Sequence, residues 1–257
     1  MVVVPSTAGA GSEVTQFAII VDQKRNLKMT IISKSLVPDI AIIDPLLLTT
    51  KSAKLTAATG IDALSHAIES FVSLAANPIT EVHAISSIRL IAGNLRESYA
   101  CNTNIEAKGK MAMASLQAAL SFSNAILGAT HAMVHQVDGL LDKHHGESNA
   151  CVLPNVMEFN MIACPAKFKQ IAVALGEEVT GFSTRTAAEA AIKAVRRLIK
   201  DIGLVEGLAE VGLEHDALPL LSRNALNDAL LPQPISIWKR PWKIRHFVRT
   251  FFTVLTS

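Results

Sequence analysis

Lys54-Leu55-Thr56-Ala57-Ala58-Thr59-Gly60-Ile61-Asp62-Ala63-Leu64-Ser65-His66-Ala67-Ile68-Glu69-Ser70 decides how this chain is read. Within residues 50–72, Leu55, Ile61, Leu64, Ile68 and Phe71 recur at helical spacing, so one helix is expected from Thr50 to Val72, with Gly60 an internal weak point. The same stretch carries Asp62 and His66 at i and i+4, which on a helix project from one face a turn apart. A carboxylate oxygen and an imidazole nitrogen so placed can reach one ion, although an acid near a helix start and a satisfied core histidine explain the pair equally well.

Downstream the helical pattern continues. Ile79 to Leu95 carries Val82, Ile85, Ile88 and Ile91. Thr186 and Glu189 fit a capping box, with Ile192, Val195, Leu198, Ile199 and Ile202 as the apolar stripe and Gly203 as the residue that ends the helix. Upstream the pattern is β-rich. Val2 to Val4, Phe17 to Val21, Met29 to Ile32 and Ile40 to Ile43 are short β-branched runs. Asp22 to Asn26 suggests a hairpin loop, and Asp44-Pro45 closes the fourth run. The opening valines resemble the middle of a buried strand, so the chain is expected to begin inside a domain, with no targeting signal before it. The boundary is placed near residue 50, strands before and helices after.

Composition narrows the function. The 257 residues are 50% apolar and 18% charged, which supplies a large core and excludes a disordered chain. A net charge of +2 gives no argument for nucleic acid. Cys101, Cys151 and Cys164 form no CxxC, so a disulfide framework is not expected and a reducing cytoplasm is the default. Met111 to Val137 holds no Asp, Glu, Lys or Arg, but Ser115, Gln117, Ser121, Ser123, Asn124, Gly128, Thr130, His131 and His135 interrupt it. That density of polar groups suits a buried helix pair rather than a membrane span. No acid follows Asp228, whereas Lys239, Arg240, Lys243, Arg245 and Arg249 do, so an atypical basic tail is read from about residue 229. Ile244, Phe247, Val248, Phe251, Phe252 and Leu255 share one helical face there, either closing the bundle or meeting an acidic partner or membrane surface.

The charge-free stretch also holds His131 and His135 at i, i+4, and His144-His145-Gly146 follows. Buried imidazoles need partners, because an unpaired buried polar group costs roughly 1–3 kcal/mol. One aspartate with three histidines makes a thiolate-free site suited to Fe(II), Zn, Co, Ni or Mn, with one histidine left for catalysis. Pro5-Ser6-Thr7-Ala8-Gly9-Ala10-Gly11-Ser12-Glu13 is neither a Walker loop nor a complete GxGxxG. Its small residues and hydroxyls fit either a phosphate-approaching loop or a plain turn.

Taken in order, PSTAGAGSEVT (5–15), KLTAATGIDALSHAIES (54–70), GATHAMVHQVDG (128–139) and HHGESNACVLPNVMEFN (144–160) resemble the iron-containing, group III alcohol dehydrogenase family over residues 1 to 228. The resemblance implies a mainly α fold: a multihelical, dehydroquinate synthase-like metal-binding domain at 51–257, preceded by strands of a truncated α/β dinucleotide-binding domain at 1–50. It implies that Asp62, His66, His131 and His145 bind the metal, Fe(II) or in some members Zn. It places His135 beside the nicotinamide, and Ser6, Thr7, Ser12, Lys28 and Leu55 near NAD or NADP. His144 receives no role. The implied reaction is hydride transfer between a small alcohol and its aldehyde or ketone, with no nucleic-acid partner and a possible homo-oligomer. Three departures, the lacking N-terminal half, Ala10 in place of a threonine and the basic end, imply impaired turnover or a non-catalytic metal-binding remnant. Glycerol dehydrogenases share the architecture with a different ligand set.

Overall fold

The computed structural model describes residues 1–22, 27–141, 144–205, 207–210 and 212–230. Both the hairpin tip at 23–26 and the amphipathic reading of the basic tail beyond Leu230 fall outside them. Four strands precede the helices: β1 (Val2–Val3), β2 (Phe17–Asp22), β3 (Leu27–Ile32) and β4 (Ile40–Ala41). β2 and β3 pair antiparallel, with Phe17 opposite Ile32 and Val21 opposite Lys28. β1 pairs in parallel with β4, Val2 opposite Ile40. The expected buried strand at the start is not observed. Val2 and Val4 are exposed, because β1 has β4 as its one ladder neighbour among the described residues.

Asp44 caps a 3-10 turn at Pro45–Thr50 by accepting from the Leu46 N–H. Among the described residues eight α-helices follow: α1 (Ala53–Val72), α2 (Pro78–Ala100), α3 (Ile105–Ala125), α4 (Ala129–Leu141), α5 (His145–Met161), α6 (Pro165–Ala174), α7 (Thr184–Asp201) and α8 (Leu218–Ala225). From Gly60 to Phe71 every residue of α1 is buried, which makes it the central helix, packed by α2, α3 and α5. Fully burying each Ile or Leu of this kind contributes roughly 1.5–3 kcal/mol. The Gly60 "weak point" is a contact instead: a Cβ there would lie 2.3 Å from Leu95 Cδ1, so the missing side chain lets α2 close onto α1.

The capping box at Thr186–Glu189 is displaced by one turn. Ser183 is the cap, its Oγ accepting from the Thr186 N–H, while Glu189 pairs with Arg185. The stripe from Ile192 to Ile202 is buried, and Gly203 takes the left-handed φ of +69° that ends the helix.

No single described helix is long and apolar enough to cross a membrane. The charge-free stretch divides between α3 and α4, bent 103° apart. Ile126 makes the break at φ +58° and ψ 176°, a region costly for a β-branched residue. The turn ends at Gly128 and leaves the first N–H groups of α4 pointing back toward α1.

Candidate metal centre

Three helices converge at that point. α1 contributes Asp62 and His66, α4 contributes His131, and His145 opens α5. The Nε2 atoms of His66, His131 and His145 lie 3.7, 3.7 and 3.6 Å from Asp62 Oδ1. These spacings exceed hydrogen-bond range. Ligands about 2.1 Å from one tetrahedral ion sit about 3.4 Å apart. The ligand atoms of Asp62, His131 and His145 all lie within 4.8 Å of one another, and His66 is not part of that set. His131 Nε2 is buried with no hydrogen-bond partner, a costly orphan that a metal would satisfy. Asn149 also meets Asp62, its Nδ2 donating to Oδ1 at 2.9 Å.

Each ring is oriented through its other nitrogen, which gives the neutral imidazole a lone pair at Nε2. His66 Nδ1 lies 3.3 Å from the Gly9 carbonyl, His131 Nδ1 2.7 Å from Glu69 Oε2, and His145 Nδ1 2.6 Å from Asp138 Oδ2. Such outer partners fix tautomer and raise ligand basicity. Phe122 and His131 both stack on the His66 ring, with centroids 4.3 and 4.5 Å away.

The cluster gathers carboxylates around the imidazoles. Burial pushes Asp62 up, but the three imidazoles outweigh it and hold the carboxyl well below the ordinary range. Glu69 and Asp138, likewise raised by burial, are brought below it by His131 and His145 respectively. Lys28 Nζ meets Asp138 Oδ2 at 3.0 Å. Three carboxylates face one ammonium and the His131 ring, so the cluster keeps an excess of negative charge. Burial lowers His66 to about 3 despite the neighbouring Asp62, so its lone pair is free at neutral pH. Burial also disfavours His131 charging, but Asp62 and Glu69 reverse this and raise it to about 9.

His135 stands beside the cluster, its ring centroid 5.6 Å from that of His145. Its Nδ1 lies 3.4 Å from Asp228 Oδ2, and burial lowers its pKa. Lys28, Gln136, Asn224, Asn227 and Asp228 line an adjoining cavity of about 420 Å³. Ser6 and Ser12 are exposed on the loop at 5–13, and Thr7 lines a small cavity with Thr56, Thr59 and buried Lys108. Leu55 is half-buried in the first turn of α1, and His144 is exposed. The loop's glycines serve packing: a Cβ on Gly9 would lie 2.7 Å from Thr59 O, and one on Gly11, at φ +65°, 2.2 Å from Ala119 Cβ.

Glu69, Asp138, Asn149 and Asp228 escaped the sequence reading. A signal existed for two of them. Glu69 follows Asp62 by seven residues, and Asp138 follows His131 by seven, each on its helix's histidine face.

A helical domain that gathers Asp62, His131 and His145, with ligand atoms all within 4.8 Å of one another, presents a candidate site for one metal ion. The pattern described as "Fe-containing alcohol dehydrogenase family, C-terminal" matches residues 56–240, and that described as "Iron-containing alcohol dehydrogenase" matches residues 1–45. The chain belongs to the iron-containing alcohol dehydrogenase family. It is 46% identical to the 1,3-propanediol dehydrogenase of Klebsiella pneumoniae over 228 residues, 89% of this chain and 59% of that protein. It is 43% identical to the NAD-dependent methanol dehydrogenase of Bacillus methanolicus, over 89% of this chain and 60% of that one. A crystal structure of 1,3-propanediol oxidoreductase superimposes with a TM-score of 0.93 at 43% identity, covering 99% of this chain and 65% of its own. The chain thus spans about three-fifths of the length of its curated relatives.

Proposed function

We propose that this chain holds the metal centre of an NAD(P)-dependent alcohol dehydrogenase, with Asp62, His66, His131 and His145 as ligands of one Fe(II) or Zn. The observation that carries the reading is the approach of three Nε2 atoms to one oxygen of Asp62, with His131 Nε2 buried and unpartnered. A carboxylate oxygen with imidazole nitrogens is a donor set suited to either ion, which supports the reading. When bound, the ion supplies Lewis acidity toward the oxygen of a small alcohol or aldehyde, and the nicotinamide supplies the hydride carrier.

The chain's own residues do the rest. Burial of Asp62, His66 and His131 strengthens the field at the gap, while His145 faces partly outward. His135, held at Nδ1 by Asp228, keeps a neutral ring whose Nε2 can take or return the proton of the reacting hydroxyl. Lys28 at the edge of the 420 Å³ cavity is the residue proposed to meet the dinucleotide, with Ser6, Thr7, Ser12 and Leu55 further along the same ligand. In this reading residues 1–50 belong to the cofactor-binding part and residues from 51 onward to the metal-binding part.

Because the dehydrogenase relatives are longer than this chain, ion retention tests the reading more directly than turnover. After loading with Fe(II) or Zn and dialysis, about one ion per chain is expected, in keeping with a single four-ligand site. His131→Ala should abolish retention. A parent chain that holds no metal, indistinguishable from the variant, overturns the proposal.

A further inference from the structure

Glu69 is 3% exposed and lies on α1, sixty-two residues from the ligand it touches. Its Oε1 accepts from the Thr130 N–H at 2.6 Å. Its Oε2 accepts from the Gly128 N–H at 3.2 Å, from the His131 N–H at 3.3 Å and from His131 Nδ1 at 2.7 Å. The backbone donors come from the start of α4, where N–H groups have no partner within the helix. A carboxylate supplied by another helix therefore caps α4 and holds the imidazole that α4 presents. Every contact demands an acceptor, and an ionised carboxylate has no donor to misplace.

We propose that Glu69 is a positioning residue which fixes the polarity of His131, donor at Nδ1 and lone pair at Nε2, so that capping of α4 and affinity for the ion are set by one carboxylate. The proposal rests on the metal reading above and deepens it. Glu69→Gln keeps size and shape but introduces an NH2. Placed where Oε2 was, that group opposes two backbone donors and makes Nδ1 an acceptor, which moves the ring proton to Nε2 and aims it into the gap. Placed where Oε1 was, it opposes the Thr130 N–H. In either orientation the negative charge that raises the basicity of Nε2 is gone.

The test uses the full chain: Zn affinity by competition with a chromophoric chelator, the d–d absorption of the Co(II)-loaded protein, and thermal unfolding without metal. Glu69→Gln is expected to lose 10- to 100-fold in Zn affinity, the range found when outer partners of metal-bound histidines are removed, and to alter the Co(II) spectrum. Ser183→Ala, which uncaps distant α7, should lower the unfolding temperature and leave affinity and spectrum unchanged. Zn binding within twofold of the parent and an unaltered Co(II) spectrum in Glu69→Gln would overturn the proposal. If that variant fails to fold, Gly128→Ala replaces it. Its Cβ would sit 2.9 Å from Glu69 Oε1 and displace the carboxylate from the α4 side, with the same loss expected and the same null result decisive. A parent that binds neither Zn nor Co(II) removes the metal reading itself, a result distinct from a parent that binds and a variant that binds equally well.

Discussion

Gly146→Ala should perturb the proposed metal centre without replacing a proposed ligand. Gly146 follows His145 in the first turn of α5, where a Cβ would lie 1.9 Å from Ala58 O and 2.4 Å from Ala58 C, both backbone atoms of α1. Real Cβ contacts stay beyond 3.0 Å, so the first turn of α5 must retreat from α1 by more than 1 Å. No flexible side chain is available to yield. His145 moves with that turn, and its Nε2 starts only 3.6 Å from Asp62 Oδ1. Overpacking of this kind costs roughly 1–3 kcal/mol of stability, and a misplacement near 1 Å at a reacting centre costs on the order of 100-fold in function. Chemical denaturation of the metal-free chain reads the first quantity, and Zn competition reads the second. Parent-like values in both would refute the claim that α1 and α5 meet backbone to backbone beneath the site.

Three other outcomes are expected. The metal-free chain should be most stable near pH 6.5: His131, raised to about 9, contributes stability present below its unfolded value near 6.5 and lost as pH climbs toward 9, whereas neutral His66, depressed to about 3, and the depressed carboxylates withdraw stability as pH falls. With Zn bound, the alkaline decline should vanish, because the ion takes the place of the proton; unfolding temperatures across pH 6 to 9 with and without metal check this. Ile126→Gly should change stability by less than about 1 kcal/mol, relief of the backbone offsetting the lost half-buried side chain, and a loss above about 3 kcal/mol in a denaturant titration would show that the position is unstrained. Ser183→Ala should cost about 1 kcal/mol and Glu189→Ala at most about 0.5, which thermal unfolding of the two variants separates.

What the sequence displays and what it hides follow from the range of each interaction. The stripe from Ile192 to Ile202 and the glycine after it are local, so α7 is legible apart from its first turn, where Ser183, Thr186 and Glu189 offer competing caps. Asp62 with His66, and His131 with His135, are readable as pairs because i, i+4 spacing fixes a shared face. Their convergence is a tertiary fact. Gly60, Gly9 and Gly146 look like breaks or turns in sequence, yet each lets two backbones or a backbone and a neighbouring helix approach. Glu69 with His131 and Asp138 with Lys28 join residues 62 and 110 positions apart, which no local pattern encodes. The exposure of Val2 and Val4 is equally invisible to a reading of β-branched runs, since it depends on which strands lie alongside.

α1 has no face turned to solvent between Gly60 and Phe71, and it carries Asp62, His66 and Glu69 within that interval. Motion that opens the α1 side of the proposed site must therefore part the central helix from a neighbour, whereas His145 leaves the opposite side partly exposed. Amide exchange along that stretch of α1 becomes a gauge of how often the bundle loosens.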